Sequence, residues 1–174
     1  GTDDIWYGFL NSLGESATNA VFRNVTFTGF ARSAIFAETG DVDGLVCEDC
    51  KFLANGTARN SEYRTVQFAV GAKTAFRACE FTGNYSVYKT SFSAEGNTNE
   101  FSNCAFDANS GLVLNFTFAC ETNVFDVTNC VFTRNYASGT AILYIDSTRH
   151  CPVSRMSDCA ISGTRTEGAC VFVN

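Results

Sequence analysis

The chain has 174 residues, 45% of them apolar, and a formal net charge of −6 from 12 basic and 18 acidic residues. That length carries one domain with a real core, and that apolar share excludes a disordered segment. The acidic balance argues against nucleic acid or an anionic membrane as partner, and no run of about 18 apolar residues is present to span a bilayer.

Residues 1–20 stand apart from the rest of the chain and read as an N-terminal cap or arm. Asp3 and Asp4 precede Ile5, Trp6, Phe9, Leu10 and Leu13, and Gly14 comes next. The i, i+4, i+8 spacing of Ile5, Phe9 and Leu13 predicts a short amphipathic helix, with acids at its start and glycine at its end. Such a helix serves as a lid on a repeat array, because terminal repeats need caps. The alternative is an extended arm that packs on a neighbouring molecule. The chain begins at Gly1 without a signal peptide, as either a processed mature protein or an excised piece would.

Residues 21–174 cycle. Cys, any residue, Phe, two residues, Asn recurs as Cys50-Lys51-Phe52-Leu53-Ala54-Asn55 and Cys79-Glu80-Phe81-Thr82-Gly83-Asn84. It returns at Cys104-Ala105-Phe106-Asp107-Ala108-Asn109 and Cys130-Val131-Phe132-Thr133-Arg134-Asn135. Val25-Thr26-Phe27 opens the series, and Cys159-Ala160-Ile161-Ser162-Gly163-Thr164 closes it. The spacing is 25 to 29 residues, and a fixed period of this size means a solenoid. Cys, x, Phe alternates in, out, in, as a strand does. The small residue ahead of each Asn, and the Asn itself, are turn chemistry. A second strand comes after each turn, at 34–37, 65–70, 87–93, 112–118, 141–145 and 169–173, in segments rich in Val, Phe and Thr. Polar insertions at 57–62 and 147–151 read as loops. Strands recurring in one order and stacking on their own copies make a parallel β-helix of about six rungs, roughly 4.8 Å apart.

On these motifs the chain resembles the right-handed parallel β-helices of the pectin-lyase-like superfamily. The repeated F-x-x-N resembles the passenger repeats of the polymorphic outer membrane proteins, with Gly139-Thr140-Ala141-Ile142 a near match to their second motif. The resemblance spans residues 21–172 and implies the handedness and the architecture; it implies surface display only weakly.

The conspicuous residues read first as structure. Cys50, Cys79, Cys104, Cys130 and Cys159 form an inward column of small core residues, free or partly paired between rungs. Cys120 and Cys151 fall at similar points before successive rungs and are the candidate disulfide. Nine cysteines fit an oxidising compartment, and the odd count leaves one thiol unpaired or intermolecular. One C-x-x-C (Cys47, Cys50) and a single His150 do not make a zinc site. Asn55, Asn84, Asn109 and Asn135 are expected to stack and bond one another and the turn backbone. Glycosylation sequons begin at Asn24, Asn55, Asn84 and Asn115, and alternation points Asn24 and Asn115 outward as the better acceptors.

Enzymes of the superfamily that act on polyuronides need clustered carboxylates with Arg or Lys on adjacent rungs. Here the outward position between Cys and Phe runs Thr26, Lys51, Glu80, Ala105, Val131, Ala160, and the position before each Cys runs Asn24, Asp49, Ala78, Asn103, Asn129, Asp158. Neither column builds such a cluster, and Asp41 and Asp43 fall in a glycine-flanked loop. Lys51 over Glu80 is a surface ion pair, and Ala105, Val131 and Ala160 make an apolar stripe open to a lateral contact. The expectation is therefore a non-enzymatic extracellular or cell-surface protein without cofactor. The last residues, Val171, Phe172 and Val173, read as a strand with no helix or polar turn after it, so either the chain is cut from a longer solenoid or a partner is expected to cover that edge. Ile5, Trp6, Phe9 and Leu10 are the segment expected to cover that edge on the next subunit, giving a head-to-tail homopolymer. The alternatives are an adhesin-like module binding a glycan or receptor, and then a polysaccharide lyase or hydrolase.

Overall fold

A computed structural model describes residues 7–11, 16–38, 42–57, 63–68, 72–92, 98–118, 124–137, 141–147, 153–168 and 170–173. Each rung is three short strands separated by two tight corners. In one rung the chain runs through Val42–Glu48, turns at Asp49, runs through Lys51–Leu53, turns at Ala54 and returns through Val66–Phe68. Successive rungs stack strand on strand, so three parallel sheets enclose the core. Sheet 1 holds Ala17–Thr18, Val21–Arg23, Val42–Glu48, Ala72–Arg77, Thr98–Ser102, Val124–Thr128 and Val153–Ser157. Sheet 2 holds the six Phe-centred triplets Thr26–Thr28, Lys51–Leu53, Glu80–Thr82, Ala105–Asp107, Val131–Thr133 and Ala160–Ser162. Sheet 3 holds Tyr7–Asn11, Ser33–Ala37, Val66–Phe68, Tyr88–Phe92, Leu114–Phe118, Leu143–Ser147 and Val171–Val173.

The repeat sets the register. Phe27, Phe52, Phe81, Phe106, Phe132 and Ile161 pair in one line down sheet 2. Their rings stack nearly parallel at centroid distances of 4.9, 4.7, 4.9 and 4.6 Å, close to the strand spacing itself. Phe76 on Phe101 in sheet 1, at 4.9 Å, forms a second stack, and Tyr88 from sheet 3 meets both edge-on. Tyr88 is wholly buried, and its hydroxyl bonds Asn99 Oδ1 at 2.5 Å and Thr74 Oγ1 at 3.0 Å. Burial holds its phenol well above the usual range.

Both corners use one device. The first-corner residues Asn24, Asp49, Ala78, Asn103, Asn129 and Asp158 all have φ between 52° and 56°. The second-corner residues Gly29, Ala54, Gly83, Ala108, Arg134 and Gly163 have φ between 51° and 74°. A single left-handed residue turns the chain sharply, and Asn, Asp and Gly accept that conformation where other residues pay about 1–2 kcal/mol. After the second corner each Asn closes a ladder. Asn84 Nδ2 donates to Phe52 O at 2.8 Å and to Asn109 Oδ1 at 3.0 Å, while Asn84 Oδ1 accepts the Asn55 N–H at 2.9 Å. Asn55 and Asn109 repeat the pattern. After the first corner the Cys does the same with weaker groups. Each thiol lies 3.2 to 3.5 Å from the carbonyl two residues before it and from a carbonyl of the preceding rung, as Cys79 does to Arg77 O and Cys47 O.

A substitution tests the corners. Ala78 is exposed and left-handed, between Asp49 and Asn103 in the same column. Ala78→Asn is expected to raise stability by about 0.5–1 kcal/mol in urea unfolding, because it relieves that strain without touching the core. No gain would mean that the corner is not left-handed.

The N-terminal segment departs from expectation. Tyr7–Asn11 is a strand, not part of a helix, and pairs in parallel with Ser33–Ala37. The edge of sheet 3 offers a row of backbone partners, and this outweighs the local helical spacing. Phe9 faces the core and meets Phe22 edge-on at 5.7 Å. The segment thus continues the solenoid rather than lidding it. Ile5, Trp6 and Leu13 lie outside the described residues.

Candidate functional site

The outer faces differ. On sheet 1, Arg23, Glu48, Arg77 and Glu100 form a ladder of alternating sign, with contacts of 2.6, 3.6 and 3.1 Å. Arg155 pairs with Asp126, and Lys73 with Asp43 at 3.2 Å. Asp43 therefore stands in the strand Val42–Glu48 and not in a loop, because its pairing with Lys73 extends the sheet. On sheet 2, Lys51 meets Glu80 at 3.2 Å and Arg134 meets Asp107. The guanidiniums of Arg134 and Arg155 hold the Asp107 and Asp126 carboxyls below the usual range. A general acid needs its pKa raised toward the working pH, and these partners act in the opposite sense. Ala105, Val131 and Ala160 are exposed as expected, Val131 at 44%.

Sheet 3 has a covered outer face. Phe36, Gln67, Lys89, Asn115 and Tyr144 stand in one register line. At its upper end Tyr7 stacks on Phe36 at 5.1 Å and Tyr63 meets Phe36 edge-on at 5.7 Å. The Arg32 guanidinium lies 4.6 Å from the Tyr63 ring centre and donates to the hydroxyls of Tyr7 and Tyr63 at 3.0 and 3.1 Å. Lower down, burial pushes the Lys89 ammonium below its ordinary pKa, and the neighbouring Arg64 charge adds to this. Lys89 makes no ion pair among the described residues. Asn115, expected to face solvent, is only 8% exposed, and its Oδ1 is buried without a hydrogen bond among the described residues. It points away from the core as alternation requires, between Lys89 and Tyr144 in the register line, yet it is covered.

The structure also places the other residues that the sequence singled out. Asn24 is exposed at a first corner, whereas Asn55 and Asn84 are buried in the ladder. Cys47, Cys50, Cys79, Cys104, Cys130, Cys159 and Cys170 are free thiols, so the column carries no vertical disulfide; its sulfurs face carbonyls instead. Cys170 is exposed. Cys120, Cys151, His150 and Asp41 lie outside the described residues. Among the described residues no three His, Cys, Asp or Glu side chains converge to hold a metal ion, and no helix is long and apolar enough to cross a membrane.

The two ends carry matching columns. At the first end these are Phe9, Phe22, Val25 and Phe27, partly or wholly buried. At the last end they are Val171, Met156, Cys159 and Ile161, with Val171 40% and Ile161 36% exposed. Among the described residues Val171 pairs with Leu143 and Ile161 with Phe132. Phe172 pairs with Tyr144 and Val173 with Ile145; Leu10 pairs with Phe36 at the other end.

The profile of the right-handed beta helix region matches residues 11–174. The chain belongs to this family. No curated protein and no solved structure matches it. In this right-handed β-helix the sequence reading overlooked the Arg32, Tyr63, Arg64 and Lys89 group outside sheet 3. Its only sequence signal is that Gln67, Lys89 and Asn115 hold equivalent places in successive return strands.

Proposed function

We propose that this right-handed β-helix is a non-enzymatic structural protein that assembles end to end outside the cell. The observation that supports the reading is the congruence of its first and last described rungs. A second copy set below the last rung continues all three sheets, with Phe9 on Val171, Phe22 on Met156, Val25 on Cys159 and Phe27 on Ile161. A strand edge that is left open is a template for further strands. A contact between unlike ends does not close on itself, so it propagates as a fibre.

Sedimentation velocity over a range of concentrations tests this. The 174-residue chain is expected to form species that grow with concentration. Val171→Lys, or removal of residues 1–13, is expected to weaken growth about tenfold or more, because a charge or a missing strand is set into the joint. Ala105→Lys on the side of the rod serves as the unaffected control. A strict monomer at high concentration sinks the assembly reading.

The outer face of sheet 3 favours a second reading, an adhesin-like module that binds a glycan. A half-buried Lys89 and the Tyr7, Tyr63 and Arg32 group supply a cation and aromatic faces on that side. A monomer that binds an acidic oligosaccharide, with binding lost in Lys89→Met, is the result that favours it.

A further inference from the structure

We propose that Asn24 is the N-glycan acceptor of this protein, and that the fold bars a glycan from the other three sequons. Four Asn-x-Thr/Ser triplets start at Asn24, Asn55, Asn84 and Asn115. In the transfer, Nδ2 of the asparagine attacks the anomeric carbon of a lipid-pyrophosphate-linked oligosaccharide. The sugar C1–O bond breaks, the lipid pyrophosphate leaves with the electron pair, and a base takes one amide proton. The new C1–N bond leaves Nδ2 with a single hydrogen.

That lost hydrogen separates the four sites. Asn55 Nδ2 spends both of its hydrogens, on Phe27 O at 2.9 Å and on Asn84 Oδ1 at 3.1 Å. Asn84 Nδ2 likewise spends both, on Phe52 O and Asn109 Oδ1. Both residues are fully or almost fully buried, so a sugar breaks the ladder and also has no path to solvent. Asn115 is covered on the outer face of sheet 3. Asn24 differs in each respect. It is exposed, and its left-handed φ of 53° sits at a corner where the side chain leaves the rod. Its place in the rung is held by the backbone, through its N–H to Glu48 O at 3.1 Å, and this bond survives modification. Thr26, which completes the triplet, is exposed on the outer face of sheet 2. Transfer acts on the extended nascent chain; folding then retains only the glycan that the corner accommodates.

The test is secretion from cultured insect cells, followed by glycopeptide mass spectrometry and thermal unfolding. The expected result is one glycan, on Asn24, absent from Thr26→Ala, with the two proteins unfolding within a few degrees of each other. Thr26→Ala is preferred to changing Asn24, because it leaves the left-handed corner intact. If secretion fails, the chain is translated into microsomes, and the protease-resistant fraction gives the same readout. A bare Asn24 in folded protein overturns the proposal. So does a glycan on Asn55, Asn84 or Asn115 in the folded fraction.

Discussion

Phe106→Ala is expected to lower the unfolding free energy by about 3–5 kcal/mol, the usual loss for a buried aromatic. Phe106 is fully buried between the rings of Phe81 and Phe132, at 4.9 and 4.6 Å, with Phe101 tilted against it at 5.8 Å. Most cores soften such a loss by relaxing into the space. This one has little freedom to do so, because the backbone on both sides is pinned. Ala105 N–H bonds Cys79 O and Val131 N–H bonds Cys104 O, each at 2.9 Å, and these bonds fix the rung spacing. The outward neighbour supplies the control, since Val131→Ala removes an exposed side chain and should change stability by no more than about 0.5 kcal/mol. Urea unfolding measures both. A loss below about 1 kcal/mol for Phe106→Ala would show that the ring is not in the stack.

The second large effect belongs to the asparagine ladder. Asn109→Ala removes the donor to Phe81 O and the acceptor for the N–H and Nδ2 of Asn84. These partners are buried, so the expected cost is about 3 kcal/mol or more, at roughly 1–3 kcal/mol per orphaned group. The pair Asn84→Ala and Asn109→Ala makes the sharper experiment. Each single variant already destroys the bond the two share, so the double variant should cost less than the sum by about 0.5–3 kcal/mol. Strict additivity would mean that the two asparagines are held independently by the turns.

What the sequence showed of this fold was whatever recurs once per rung. The Phe and Asn columns were legible because one side-chain type returns at one offset, and the return strands were legible from alternation. The corners were harder. Asp49, Ala78 and Asp158 read only as members of a column that builds no carboxylate cluster, yet all three hold the same left-handed conformation. Ala and Arg carry no local preference for it, so only their place in the column marks Ala54, Ala108 and Arg134. The N-terminal segment misled because Ile5, Phe9 and Leu13 carry helical spacing, while Tyr7 and Phe9 also alternate; the edge of sheet 3, supplied by residues 33–37, decides between them. Asn115 misled for another reason. Alternation reports which way a side chain points, not what covers it, and its register neighbours, Lys89 and Tyr144, lie 26 and 29 residues away in sequence. The cysteine column was placed correctly, but whether its thiols pair or face carbonyls depends on the corner geometry.

The columns also pose a problem of sameness. Phe stacks on Phe from Phe27 to Phe132 and Asn on Asn from Asn55 to Asn135, so a rung that skipped its neighbour and settled on the next one would find the same partners inside the rod. The outside of sheet 1 breaks this degeneracy. Arg23, Glu48, Arg77 and Glu100 alternate in sign from one level to the next. Skipping a level sets Arg23 against Arg77 in the register line that Glu48 now separates. Exposed pairs of this kind contribute little to the final stability. Their effect falls on the competing arrangements, where like charges directly opposite are unfavourable. The ladder thus works as a counting key, telling each incoming coil which predecessor it belongs to.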